Sequence, residues 1–337
     1  FEVCDLGIGL KRGAHRNVIE HNEFEDTTFE WIWESIKAGA ALETGGIRIY
    51  DSDPSPRGTV IRHNTFHDFF DGFGACPGSD TGTTIETDVH DNLIYRVGDD
   101  GFETDGYCSN LRIWDNTISE ALIGISLAPV YTGPVYAIRN LIYLTGAGTS
   151  QAGYTGSCFK FNSGFDPSGV MYLFHNTCDA ARPGNDALAI KSPGDWDLIS
   201  SRNNIWSATA YAIDNANPTQ PLDLDFDNLS TTLANELVYW SGLPDRHLRT
   251  LAELQSATGQ ELNGFNVDPN FVDPASGNYS LTLGSDLVDA GVVIPGVNDG
   301  FNGAAPDIGA FESDDTIFSD DFENGNLSQW STVVPTP

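Results

Sequence analysis

The sequence predicts an all-β protein, a right-handed parallel β-helix in which coils of three short strands stack into a single-stranded solenoid, with one short helix near the C-terminal end. Three observations predict this fold. An asparagine motif recurs at a spacing close to one coil, the residues around each motif alternate between apolar and polar, and helical periodicity is almost absent.

The asparagine motif consists of a polar residue, Asn, any residue, and then an apolar residue. It places Asn at positions 22, 64, 92, 116, 140, 176 and 203, which differ by 42, 28, 24, 24, 36 and 27. A base period near 24 with insertions fits a coil of three strands and three turns. We expect each Asn to occupy a turn, because Asn tolerates left-handed backbone geometry and its amide can bond to the equivalent Asn one coil away.

The domain organisation follows from where this pattern starts and stops. The β-helix domain is expected over residues 1–312, with its N-terminal coils incomplete, and 313–337 is expected to be a tail or the truncated start of an appended module. The segment 248–257 has apolar residues at helical spacing and predicts one short amphipathic helix.

Charge excludes several classes of partner. Subtracting 48 acidic from 16 basic residues gives −32, and only four of the basic residues are lysines. Such a surface repels nucleic acid and anionic lipid. No apolar run approaches the roughly 18 residues of a membrane span, so membrane insertion is not expected. The many carboxylates would suit Ca²⁺ as a cofactor.

Five cysteines give an odd count without metal-type spacing. Cys158 and Cys178 could face each other across neighbouring coils, and so could Cys76 and Cys108, which leaves Cys4 without a partner. Disulfides would indicate an oxidising compartment. Five free thiols are the alternative.

One stripe of charged residues is the sharpest local signal. The run 101–105 aligns with 124–128, and placing Phe102 and Thr104 inward turns Glu103 and Asp105 outward. The same alternation turns Lys160 and Lys191 outward on the same face. Two of the four lysines would therefore lie beside Asp99 and Asp100.

Four insertions at about 25–42, 68–83, 145–157 and 180–187 interrupt the repeat. Each is expected to follow the asparagine strand and to precede the strand that carries the stripe, so that together they form a wall along one edge of the rod. The predicted substrate-binding residues in this wall are Trp31, Trp33, Phe70 and Tyr154, whose rings could stack on sugars.

Several segments resemble a known family. The asparagine repeats, together with 268–274 and 306–312, resemble the parallel β-helix repeat proteins of secreted bacterial type, a family that includes pectin- and alginate-active proteins. The resemblance covers roughly residues 15–312. It implies a secreted or cell-surface protein that has a polysaccharide as its partner, and the chain could carry further modules. Because the family contains hydrolases, lyases, epimerases and binders, it does not fix an activity.

Two chemistries would use the stripe. Glycoside hydrolysis needs two carboxyl groups, for which Asp100 with Glu103 or Asp105 are candidates. Elimination at a uronate needs a cation against the substrate carboxylate and a base. Asp99 and Asp100 would hold Ca²⁺, and Lys160 or Lys191 would be the base.

Three other interpretations stay open: a carbohydrate-binding module without catalysis, a structural or adhesive rod, and a stripe that is only a solvated turn with a ladder of ion pairs. The histidines at equivalent repeat positions, His21, His63 and His175, are predicted to be turn residues.

Overall fold

The computed structural model describes residues 6–38, 43–50, 55–78, 83–161, 169–191, 194–233 and 236–313. The strands are β1 (Leu6–Leu10), β2 (Val18–Glu20), β3 (Glu23–Glu25), β4 (Gly45–Ile49), β5 (Val60–Arg62), β6 (Thr65–Phe69), β7 (Asp71–Gly74), β8 (Thr84–Ile85), β9 (Asp88–His90), β10 (Leu93–Glu103), β11 (Cys108–Ser109), β12 (Leu111–Trp114), β13 (Thr117–Ser126), β14 (Val135–Ile138), β15 (Leu141–Tyr143), β16 (Ser157–Phe161), β17 (Val170–Phe174), β18 (Thr177–Ala180), β19 (Asp186–Ile190), β20 (Leu198–Arg202), β21 (Ile205–Ala208), β22 (Ile213–Asn215), β23 (Leu222–Asp225), β24 (Asn228–Thr231), β25 (Val238–Trp240), β26 (His247–Leu248), β27 (Phe271–Asp273) and β28 (Asn278–Leu281). The α-helices are α1 (Trp33–Lys37) and α2 (Leu251–Thr258), and 3₁₀ turns span Thr28–Glu30 and Pro274–Ser276.

The strands form the predicted parallel β-helix, with three strands in each coil. The first strands of the coils make one sheet, in the order β2-β5-β9-β12-β14-β17-β20-β23. The second strands make a sheet that we call the ladder sheet, in the order β3-β6-β10-β13-β15-β18-β21-β24. The third strands make what we call the site sheet, β1-β4-β7-β10-β13-β16-β19-β22-β25. In two coils the second and third strands are continuous, so β10 and β13 belong to both sheets.

The core lies between the three sheets. It is built from columns in which residues at equivalent positions of successive coils stack on one another. In the ladder sheet the inward column contains, in register, Phe24, Phe66, Ile94, Ile118, Ile142, Cys178, Trp206 and Leu229, all fully buried. A strand of three to five residues could not bury such side chains alone, so the stacking of neighbouring coils supplies the core.

The asparagines form the predicted ladder, with one correction. The Oδ1 of each Asn accepts bonds from the backbone N–H and the Nδ2 of the Asn one coil earlier, as Asn116 does from Asn92 at 3.1 and 2.9 Å. The last Asn of the ladder is Asn204 and not Asn203, so the final spacing is 28. Asp227 and then Glu261 continue the ladder beyond it.

The left-handed geometry also falls one residue earlier than expected. His21, His63 and His175 have φ of 58°, 54° and 57°, and Asn203 occupies the equivalent position with φ 60°. The histidines are therefore turn residues, as predicted, while each ladder Asn follows the left-handed residue and bonds along the rod.

The disulfides and the helix agree with the sequence. Cys76 is bonded to Cys108 and Cys158 to Cys178, whereas Cys4 lies outside the described residues. Helix α2 occupies the predicted place, and the Thr250 side chain accepts a bond from the Glu253 amide at its N-terminus. No helix in the described ranges is long and apolar enough to cross a membrane. Of the predicted tail, only Ser313 is described.

The segment after α2 packs back along the rod and is fixed to it by His175. The Nε2 of this buried side chain accepts from Asn203 and Asn298, at 3.1 and 2.7 Å, and its Nδ1 lies 3.3 Å from the Gly309 carbonyl. The tautomer with the proton on Nδ1 satisfies all three contacts. Burial lowers the pKa of His175 to about 4, so the ring is neutral at physiological pH.

Candidate functional site

The outward surface of the site sheet carries two columns of side chains that stack from coil to coil. The first column includes Asp71, Asp100, Ile123, Ser157 and Asp186. The second column runs, in register, through Arg48, Gly74, Glu103, Ser126, Lys160, Ala189, Asp214 and Tyr239.

The outward positions in one strand lie three residues apart because two consecutive residues between them face the core. In β10 these are Gly101 and Phe102, and a Cβ at Gly101 would lie 2.9 Å from the Ile118 side chain. Phe102 and Thr104 are fully buried, and Glu103 and Asp105 contact groups on the outer surface, as the sequence alignment predicts. The alignment of 101–105 with 124–128 is likewise confirmed, since Phe102 pairs with Ile125.

Six carboxylates and three cations meet on β7, β10 and their neighbours, and we call this group the acidic cluster. Its carboxylates are Glu43, Asp71, Asp99, Asp100, Glu103 and Asp105, and its cations are Lys37, Arg48 and Lys160. Lys37 lies 2.8 Å from Asp99 and 3.1 Å from Glu43. Arg48 bridges Asp71 and Glu103 at 3.2 and 3.3 Å. Lys160 lies 3.0 and 3.1 Å from the two oxygens of Asp100.

The cluster is buried and its acids outnumber its bases. Asp71, Asp99 and Asp100 are only 1%, 4% and 2% exposed. With every group ionised, the charge would be −6 + 3 = −3. Burial and repulsion between neighbouring carboxylates raise the pKa of Asp71, Asp100 and Glu103. Burial also raises the pKa of Asp105, although Asp105 accepts bonds from Ser126 Oγ and the Ala128 amide. The cluster therefore favours a bound proton or a further cation.

Lys160 is protonated in this arrangement. Burial alone would lower the pKa of its amine, but attraction to Asp100, Asp105 and Asp99 outweighs burial and raises it. Neutralising those carboxylates by any other means would leave burial as the dominant influence and lower the pKa of Lys160.

The donor set fits a divalent cation. Oxygens of Asp71, Asp99 and Asp100 all lie within 4.8 Å of one another, and so do those of Asp100, Glu103 and Asp105. Two oxygens that bind one Ca²⁺ at about 2.4 Å are at most about 4.8 Å apart. An all-oxygen set with an excess of three negative charges has the chemistry that Ca²⁺ requires. Asp99 and Asp100, predicted as metal ligands, thus have Asp71 as a third candidate.

Lys191 lies on the same face as Lys160 but not in the acidic cluster. It follows Ile190, which pairs with Phe161, so it stands two residues further along the sheet than Lys160. Its amine lies 2.8 Å from Asp214. Of the two lysines predicted as catalytic, only Lys160 contacts the acids predicted beside it.

Three of the four predicted aromatic residues form a wall at the edge of the cluster. Trp31 and Tyr154 are 46% and 54% exposed, and the Tyr154 ring lies 4.7 Å from that of Trp33. The two insertions that carry them are joined, because Glu34 accepts bonds from Ser150 Oγ and the amides of residues 151 and 152. These bonds lower the pKa of Glu34 to about 2.

Phe70 requires a correction. Its ring is 1% exposed and lies 5.2 Å from the Lys37 amine, so it supports a charged side chain from below and offers no face to a sugar.

The predicted boundary of the second insertion is also wrong, since 68–83 contains strand β7 of the site sheet. The other three insertions lie between the ladder sheet and the site sheet, as expected, and only residues at their ends enter the flanking strands.

That error hid Asp71, and three further members of the cluster, Lys37, Glu43 and Arg48, were not predicted either. The sequence does contain a signal for Asp71. Asp71-Gly72-Phe73 repeats Asp100-Gly101-Phe102, and the two runs are adjacent in the sheet, with Phe73 opposite Phe102. Arg48 occupies the same outward position as Glu103, two strands earlier. Nothing in the sequence places Lys37, because its position depends on how α1 folds over the sheet.

A cavity of about 460 Å³ opens beside Glu103 and Asp105. Its other charged lining residues are Lys11, Arg12 and Arg48, and the Lys11 amine lies 4.1 Å from the centre of the Tyr50 ring. Within the described ranges, Lys11 and Arg12 form no ion pair. Two cations without an ion-pair partner among the described residues, in a chain of net charge −32, make this cavity suited to an anionic ligand.

Comparison with known proteins gives a likeness at the level of structure. No protein-family model matches the chain, and no curated protein matches it. The crystal structure of pectate lyase Pel9A is similar, with 14% sequence identity and a TM-score of 0.43, over 92% of this chain and 87% of that chain. At this identity the likeness concerns the fold alone.

Proposed function

We propose that the protein is an extracellular lyase that cleaves a uronate-containing polysaccharide by β-elimination, with Lys160 as the base. The observation that carries the proposal is the placement of the Lys160 amine against Asp100, within a group of three buried carboxylates whose oxygens lie within 4.8 Å of one another. This arrangement supplies both a base and a cation site, which elimination at a uronate needs.

The reaction would proceed as follows. Asp71, Asp99 and Asp100 would hold Ca²⁺, which when bound supplies positive charge against the substrate carboxylate and makes the adjacent C5 proton more acidic. Lys160 Nζ accepts that proton. The electron pair of the C5–H bond forms the C4–C5 double bond, the C4–O glycosidic bond breaks, and the leaving oxygen takes a proton from water.

The cluster also explains how a lysine could act as a base. The pKa of Lys160 is raised only because carboxylates surround its amine, while burial acts in the opposite direction. Once those carboxylates are balanced by a cation, burial would lower the pKa of Lys160 toward the range in which it can accept a proton. The amine would thus become basic only when the site is loaded.

The cationic cavity supports an acidic polymer as substrate. Lys11, Arg12 and Arg48 adjoin the cluster on the side of Glu103 and Asp105, where they could pair with the carboxylates of neighbouring sugar residues. The two disulfides favour an oxidising, extracellular compartment.

Glycoside hydrolysis is the second candidate, and one observation favours it. Glu103 and Asp105 line the same cavity and both have a raised pKa, as a general acid requires. Asp100 suits this role less well, because it is 2% exposed and both of its oxygens contact Lys160.

Incubation of the purified protein with polygalacturonate and with alginate tests the proposal, each with added Ca²⁺ and with chelator. We expect products that absorb in the ultraviolet as unsaturated uronates do, formed with Ca²⁺ and not with chelator. Saturated reducing ends that are unaffected by chelator would refute the lyase and support hydrolysis. Binding without any product would support a carbohydrate-binding module.

A further inference from the structure

The second outward column of the site sheet reaches Tyr239 on its last parallel strand, β25, and Tyr211 lies near it, two residues before β22. The Tyr211 amide donates to Asp186 of the first column at 3.1 Å. In the second column Lys160 is followed in register by Ala189, Asp214 and Tyr239. The rings of Tyr211 and Tyr239 are 5.9 Å apart and both are partly exposed. We call this pair the tyrosine platform.

Polar contacts fix the platform in place. The Tyr211 hydroxyl lies 3.2 Å from His247 Nδ1, and that nitrogen lies 2.9 Å from Glu236. Tyr239 pairs with His247 across the antiparallel strand β26, and the two rings meet edge to face at 5.4 Å. Because these contacts hold the hydroxyl of Tyr211 and the edge of Tyr239, the rings need little ordering before a ligand binds.

The platform is continuous with the acidic cluster. It begins in the coil of β22, where Tyr211 stands two residues before that strand. This coil is four strands beyond β10, which at about 4.8 Å per strand is roughly 19 Å along the rod. The residue in register between Lys160 and Asp214 is Ala189, whose short side chain leaves that position low, and the Lys191 amine is held against Asp214 at 2.8 Å. A ligand lying along the rod axis over Lys160 would reach both tyrosine rings.

We propose that Tyr211 and Tyr239 stack on sugar rings of the same polysaccharide whose uronate lies at the acidic cluster, so that the polymer runs along the rod axis and not across it. Amphipathic tyrosine rings suit sugars, which offer apolar C–H faces edged by hydroxyls. The inference rests on the proposed function for the identity of the polymer. Binding at the platform can nevertheless be measured without turnover.

The experiment compares affinity for long and short ligands. Lys160→Arg serves as the background that blocks turnover, and the probes are polygalacturonate and alginate together with their trisaccharides. We expect Tyr211→Ala and Tyr239→Ala each to weaken binding of the polymer by about tenfold, the loss of one stacking contact. Binding of a trisaccharide should stay unchanged, because it is too short to span the distance. Tyr239→Phe should bind like its parent, since it keeps the ring.

Tyr172→Ala is the matched control. Tyr172 is a partly exposed tyrosine stacked on Tyr136 at 5.2 Å, but it lies in β17 on a different sheet. It should leave polymer binding unchanged, and thermal unfolding confirms that each variant is folded. Unchanged polymer affinity in both alanine variants, or an equal loss for the trisaccharide, would overturn the platform.

The two proposals fail separately. Polymer binding that depends on the tyrosines, without elimination by the unsubstituted protein, would refute the lyase and support the platform. Elimination that is unaffected by both tyrosine substitutions would refute the platform and support the lyase.

Discussion

Substitution of Lys160 separates its two roles, as a base and as a buried positive charge. Lys160→Arg keeps the charge beside Asp100 but cannot accept a proton at any physiological pH, because the guanidinium pKa exceeds about 12. Lys160→Met removes both the charge and the base. Lys191→Met is the matched control, because Lys191 lies on the same face and pairs with Asp214 outside the cluster.

The magnitudes follow from the contacts. Loss of a general base typically slows turnover by about 10² to 10⁴, so both Lys160 variants should lose activity to that extent while Lys191→Met keeps most of it. Lys160→Met changes the charge of the acidic cluster from −3 to −4 and leaves Asp100, 2% exposed, without its cation. Breaking such a buried pair costs about 3–5 kcal/mol of the free energy of unfolding, a loss that Lys160→Arg should largely avoid.

Two assays check these expectations. Initial rates on the uronate polymer give the loss of turnover, and urea unfolding in chelator gives the free energy. Added Ca²⁺ should stabilise Lys160→Met more than the unsubstituted protein, because the excess of negative charge is larger. Turnover by Lys160→Arg within a few fold of the unsubstituted protein would refute Lys160 as the base. Inactivation by Lys191→Met alone would transfer that role to Lys191.

Three further predictions concern stability. Burial raises the pKa of Asp227, which contacts the buried Glu261, so the stability that this pair contributes is fully present below about pH 4 and is lost as the pH rises toward neutrality. Asp227→Asn should therefore unfold at higher urea at pH 7 and at equal urea at pH 4. His175 has the opposite dependence, because burial lowers its pKa from 6.5 to about 4. Stability should fall by roughly 3 kcal/mol between pH 6.5 and 4, and a pH series of unfolding on His175→Asn should lack that fall. Asn116→Asp should lower the free energy of unfolding by about 3 kcal/mol or more, since the Nδ2 of Asn116 donates to Val89, Trp114 and Asn140. Asn22→Asp, at the part-buried end of the ladder, should lower it less in the same assay.

The fold was predictable because its repeat is carried by one side-chain type. The ladder requires Asn, which donates from Nδ2 and accepts at Oδ1, in coil after coil, and such a requirement is visible at any insertion length. The same rule failed at Asn203-Asn204, where two candidates adjoin. Burial decides between them, because Trp206 must face the core, and a slip of one residue would turn it to solvent.

The candidate site was only half predictable, because its two halves come from different levels of structure. Glu103 and Lys160 lie on strands where alternation predicts their outward position, and Asp99, Asp100 and Asp105 adjoin Glu103 along the chain. Lys37 reaches Asp99 from helix α1, inside an insertion of no fixed pattern, and Arg48 reaches Glu103 across the intervening strand. Contacts of this kind depend on side-chain reach, which periodicity does not record.

The length of the side chains also explains why the site lies where it does on the rod. Strands in the sheet are about 4.8 Å apart, so long side chains at the second-column position of every strand would crowd one another. The column alternates instead, with Gly74, Ser126 and Ala189 between Arg48, Glu103, Lys160 and Asp214. A Cβ at Gly74 would lie 3.3 Å from Cγ of Arg48, so the glycine leaves the surface over which the arginine extends to Glu103. Ser126 adds a bond to Asp105 where a longer residue would block Lys160 from Asp100. The small residues of the second column are therefore as necessary to the cluster as its charges, because they let charged side chains from alternate coils meet over one buried acid.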